Sequence, residues 1–86
     1  MDFDDLLRRY FGTAEISDVT PEVQSAGIEH ILVDFGLEQD RGKRFALWSL
    51  LHLLAAAPDL AVAFKDEADR EAARNFMDLF AAAQRE

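Results

Sequence analysis

Two histidines, a serine one helical turn from one of them, and three cations within four residues are the side chains whose types and spacing could do chemistry here. Ser49 and His52 stand at i, i+3. A serine next to a histidine is the start of a nucleophile and its base, but the pair also needs a third group to orient the ring and donors for an oxyanion. Neither can be identified in the chain, and i, i+3 along one helix rarely aims a ring nitrogen at a serine oxygen. His52 therefore reads as a core or interface histidine. His30 lies toward the polar side of its segment with Asp34 one turn on, which reads as a solvated pair. A zinc site needs three or four convergent ligands, and two lone histidines with no cysteine and no H-E-x-x-H pattern do not supply them. The sequence predicts no catalytic residues, no metal ligands and no cofactor.

Gly36 to Arg44 (Gly-Leu-Glu-Gln-Asp-Arg-Gly-Lys-Arg) has the composition of a phosphate loop. Its glycines are one residue too far apart for G-x-x-x-x-G-K-[ST], and Arg44 occupies the place of the hydroxyl that would bind magnesium. Counted from Asp34 as a calcium loop, the sixth and twelfth positions are Gln39 and Phe45, where glycine and glutamate are required. One oddity survives. Arg41, Lys43 and Arg44 crowd the start of a helix, where the dipole disfavours cations. Free backbone N–H groups with three cations would hold a phosphate or a carboxylate, making these a candidate anion site. The competing reading is that they pair with the protein's own acids, such as those of the first segment.

The segments that must position these residues are helical in pattern. Phe3, Leu6, Leu7, Tyr10 and Phe11 follow i, i+3, i+4, i+7, i+8, and Gly12 is a natural stop. Residues 13–19 read as a loop pinned by Ile16 and Val19. Thr20-Pro21-Glu22 opens a second helix with a capping hydroxyl and a proline in the first turn. Its expected inner face is Val23, Gly27, Ile28, Ile31, Leu32 and Phe35, with Gly36 as its stop and Leu37 as the accompanying apolar contact. Asp40 caps the third helix, which is apolar on nearly every side from Phe45 to Ala57 and should be buried; Pro58 ends it. A brief helical piece follows between Asp59 and Phe64. Asp66 caps the last helix, with Ala68, Ala72, Ala73, Phe76, Met77, Leu79, Phe80 and Ala83 on one face. The expectation is an all-α fold: one domain, a compact bundle of four main helices plus one short helix, with the central helix at about residues 41–57 buried. Short gaps favour antiparallel neighbours.

Composition bounds the function. The chain has 86 residues, 50% hydrophobic, no cysteine and a net charge of −8. One modest core fits that length. The charge opposes direct binding to nucleic acid or to an anionic membrane face. The apolar run at 45–57 is too short to span a bilayer, and the acidic start does not read as a secretory signal, so a cytoplasmic protein is expected. The excess of alanine and arginine over lysine and asparagine suggests a bacterium with a GC-rich genome. Acyl carrier proteins are similar in size and acidity, but they carry Asp-Ser-Leu at a helix start, where this chain has Gln39-Asp40-Arg41 and no serine. Colicin-type immunity proteins are similar in size, acidity and helical build, yet their Tyr-Tyr-Pro signature is missing. Neither resemblance identifies a family.

The leading expectation is a non-enzymatic helical protein acting through protein–protein contact, with a protein partner or with a second copy of itself. Trp48, Ser49, His52 and Ala56 are the candidate helix-contact residues, within or between chains. The alternatives are an acidic decoy of a nucleic-acid-binding site, and a small-ligand or anion binder at Arg41, Lys43 and Arg44.

Overall fold

A computed structural model describes residues 3–84. All regular structure in it is helical: α1 (Phe3–Phe11), a 3₁₀ turn (Ile16–Asp18), α2 (Pro21–Leu37), α3 (Arg41–Leu53), α4 (Leu60–Ala63) and α5 (Glu67–Ala83). The all-α bundle of four main helices and one short one is what the periodicity predicts.

The caps follow the sequence. Thr20 Oγ1 accepts from the Val23 N–H and Pro21 takes the first turn of α2. Asp40 accepts from the Lys43 N–H at 2.9 Å, and Asp66 from the Ala68 N–H at 2.8 Å. Gly12 closes α1 at φ 78°. The loop at 13–19 holds one 3₁₀ turn and is pinned by the partly buried Ile16 and Val19.

Three boundaries or faces differ from the sequence reading. First, α2 runs through Gly36, which is not its stop, and Leu37 is 75% exposed instead of packed. The chain leaves the helix at Glu38, whose backbone is extended and whose carboxylate accepts from the Gln39 and Asp40 N–H groups. Val23 and Leu32, expected inside, are exposed, while Gly27, Ile31 and Phe35 are buried. Second, α3 stops at Leu53, well before Pro58. Ala55 takes φ 59°, its N–H bonds to the His52 carbonyl, and the Ala56 N–H bonds to the Leu51 carbonyl. This is a Schellman closure, with alanine where glycine is usual. Ala56, a candidate contact residue with Trp48, Ser49 and His52, therefore lies beyond the helix that carries the other three. Third, of the expected α5 face only Ala73 is buried; Phe76 and Phe80 are half-buried, and Ala68, Ala72, Met77, Leu79 and Ala83 are exposed.

The main packing runs as a line: α1 on α2, α2 on α3, α3 on α5, with α4 against α5. The core centres on Leu47, Trp48, Leu50 and Leu51 of α3, joined by Leu6, Phe11, Ile31, Phe35, Phe64 and Ala73. An aromatic cluster knits it. Trp48 meets Phe64 and Phe76 edge-on at 5.8 and 6.0 Å, and Phe45 contacts the same two rings. The extents are 37 × 36 × 20 Å, so the molecule is about two helix diameters thick. A flat bundle of this kind leaves outer helix faces uncovered.

Two backbone positions give opposite expectations. A β-carbon at Gly27 would overlap the Phe11 ring, so Gly27→Ala should destabilise by about 1–3 kcal/mol, despite alanine's better helix propensity. Ala55→Gly relieves a left-handed alanine and should stabilise by about 1 kcal/mol. Urea unfolding midpoints of the two variants would check both signs.

Candidate functional site

The Arg41–Lys43–Arg44 cluster is split by the fold. Arg41 leaves the cluster for α5, where Nη2 lies 2.7 Å from Asp69 Oδ1 and Nε reaches the same carboxylate. That partner holds the Arg41 guanidinium above its ordinary pKa. Arg44 turns inward. Its Nη1 donates to the Phe35 carbonyl at 2.8 Å and to the Glu38 carbonyl at 3.3 Å, and its Nη2 donates to the Ala63 carbonyl. The guanidinium also lies 4.1 Å over the Phe35 ring. Lys43 points to solvent. An open cleft of about 730 Å³ lies beside them, but Glu38, Asp66 and Asp69 line it together with Arg41, Arg44 and Lys65. Its charges balance and two of its three cations already hold acceptors.

Ser49 and His52 are close in sequence and not bonded. Ser49 is 2% exposed, and its Oγ has no hydrogen-bond partner. His52 is half-buried and stacks on Trp48 at 5.4 Å, with Phe76 and Phe80 edge-on. Its surroundings are aromatic, and nothing there activates the serine. Trp48 makes the α3–α5 contact inside the chain, and its Nε1 donates to the Pro58 carbonyl at 3.4 Å. No three histidine, aspartate or glutamate side chains converge as a metal group among the described residues. No helix there is long and apolar enough to cross a membrane.

A cluster that spacing alone does not reveal joins α1 to α2. The Tyr10 hydroxyl donates to Asp34 Oδ2 at 2.6 Å, His30 Nε2 lies 3.6 Å from the same oxygen, and the two rings meet edge-on at 5.2 Å. Burial, then the bond to Asp34, pushes the Tyr10 phenol up to about 12. The cluster borders a hollow of about 230 Å³ that also takes in Arg9, Leu37 and Glu38.

His30 also belongs to a longer feature. Val23, Ala26, His30, Val33 and Leu37 recur at i, i+3, i+7, i+10 and i+14, and every one is exposed. That spacing lines them along one side of α2, clear of the Gly27–Ile31–Phe35 face that enters the core. A single inner face for α2 leaves Val33 out. The signal was available, since α2 carries apolar residues at too many angles for one buried stripe. Its flanks are acidic: Glu22 and Glu29 along one edge, Asp34 and Glu38 along the other, with no lysine or arginine between Pro21 and Leu37.

No family model matches the chain, and no curated protein or solved structure shows significant similarity to it. The functional reading therefore rests on the geometry alone.

Arg44→Ala removes a charged donor from three carbonyls and should cost about 1.5–3 kcal/mol in denaturant unfolding, whereas Lys43→Ala should change it by less than about 0.5 kcal/mol. Tyr10 makes a separate prediction. It is the chain's one tyrosine, so its ultraviolet titration is unobscured. Its stabilising effect is complete below the ordinary phenol range near 10 and is lost as pH rises through its folded value of about 12. Stability should fall across that window in the wild type, and fall less steeply in Tyr10→Phe.

Proposed function

We propose that this is a non-enzymatic protein that acts by binding another protein, and that the open side of α2 is the contact. The observation that carries this reading is the run of exposed residues Val23, Ala26, His30, Val33 and Leu37. Valine and leucine scattered singly on a surface need no explanation, but Val23, Ala26, Val33 and Leu37 share one side of a helix, interrupted by His30 and rimmed by charge, and exposed apolar residues grouped in that way mark an interaction site. Apolar area left in water forgoes burial that a partner's cover would supply, and only the surplus over the cost of association would appear as affinity. The stripe also has the 3–4 spacing by which one helix packs along another. The surroundings of Ser49, His52 and the arginines lend no comparable support to catalysis or to anion binding, because the serine lacks a base and the two arginines hold internal acceptors.

The test is a double substitution at positions that do not touch the core. Val33 and Leu37 are 58% and 75% exposed, so Val33→Asp with Leu37→Asp should leave the helical circular dichroism unchanged. Captured from its native cell with immobilised chain, the partner should be retained by wild type and by Leu79→Asp on α5, and lost by the α2 double variant. The same proteins held equally by all three chains would overturn the reading.

A further inference from the structure

We infer that the occupant of the α2 stripe is a cationic amphipathic helix of a partner protein, not a second copy of this chain; this rests on the reading of α2 as the contact face. Length comes first. Val23 to Leu37 spans about 21 Å along the helix axis, which a partner helix of about four turns would cover.

Charge then decides the occupant. Glu22 and Glu29 lie along one edge of the stripe, and no ion-pair partner is assigned to either among the described residues. On the other edge Asp34 is engaged by Tyr10 and His30, and the Glu38 carboxylate accepts from the Gln39 and Asp40 N–H groups. The flanking carboxylates with neither an ion pair nor a hydrogen bond are therefore on the Glu22–Glu29 edge. Helices that pack along an apolar seam bring their flanking charges together, and like charges there disfavour the pairing. If two copies met antiparallel with the stripe covered from end to end, Val23 of each would lie opposite Leu37 of the other, and the two Glu29 carboxylates would meet within about half a turn along the same edge of the seam. Each copy also carries a net charge of −8. A helix with leucine-like residues on its seam and lysine or arginine on its flank meets both demands. It covers Val23, Val33 and Leu37, and it supplies the cations that Glu22 and Glu29 lack.

The probes are two synthetic helical peptides with leucine at the seam positions, one flanked by lysine and one by glutamate, titrated against the full chain by calorimetry at low and high salt. The lysine peptide should bind at least about ten-fold tighter than the glutamate peptide at low salt, with the margin shrinking as salt screens the charges. Glu22→Gln with Glu29→Gln should weaken the lysine peptide several-fold and flatten its salt dependence, and Val33→Asp should weaken it about ten-fold or more. Equal binding of the two peptides would overturn the cationic partner while leaving α2 as the contact. So would light scattering that shows a dimer dissolved by Val33→Asp. If Val33→Asp changes neither peptide binding, association nor capture, the contact reading falls as well.

Discussion

The structure depends on one guanidinium. Arg44 sits in the second turn of α3, near a helix end whose partial positive charge disfavours a cation. It is held there because three carbonyls need donors: Phe35 in the last turn of α2, Glu38 in the connection, and Ala63 at the end of α4. These carbonyls belong to helix ends and to a linker, where intrahelical donors run out. A planar fork with five N–H groups satisfies all three at once, and stacking over Phe35 covers the face of the plane. Lysine could not do this from a single point. The joint fixes where α2 ends, how α3 departs from it, and where α4 comes back.

The aromatic core follows from that joint. With Phe35 and Ala63 both tied to Arg44, Phe64 is brought against Phe35 edge-on at 6.0 Å and into reach of Phe45 and Trp48. From α5 Phe76 completes the contact, and His52 continues the row to Phe80. The rings supply area and directional edge-to-face contacts that a small domain needs, since so little of its surface can be buried. They also draw α3, α4 and α5 together on one side. α2 is left with α3 along one side and the nine residues of α1 along another, too little to wrap all seventeen of its own.

That imbalance explains what was legible in the sequence. Most local signals decided by a few neighbouring atoms were readable: Thr20, Asp40 and Asp66 as caps, Gly12 as a stop, Phe3 to Phe11 as a stripe; Gly36 as a stop was the exception, because α2 runs on through it to Leu37. The core position of Leu47, Trp48, Leu50 and Leu51 was readable because so dense an apolar run must be covered along most of its length, although its end is not: Leu53 is 40% exposed. The end of α3 was not, because Ala55 carries no sign that it will adopt φ 59°; the Schellman bonds form between backbone groups that any residue possesses. Nor was the fate of the cations. Spacing placed Arg41, Lys43 and Arg44 together, and only the tertiary fold sends them to Asp69, to solvent and to three carbonyls respectively. The faces of α2 and α5 were overcounted for a related reason. Periodicity finds every apolar residue near a stripe, but a flat bundle covers only the part that meets a neighbour.

The two overcounted helices are not equivalent. On α5 the exposed apolar positions are mostly alanine, with both acids and arginines beside them, and an isolated alanine in water forgoes little. On α2 the uncovered positions include two valines and a leucine, and the full charges that α2 itself carries are all acidic, whereas α5 has Leu79 and Met77 exposed among charges of both signs. α1 borders this side of α2 through the contacts of Tyr10 with His30 and Asp34. The core does not need Val23, Val33 or Leu37, and polar residues at those points would keep the helix and raise solubility. Their place in register, on a helix already anchored by Gly27, Ile31 and Phe35, is the ground of the proposed contact, in which a partner would cover them.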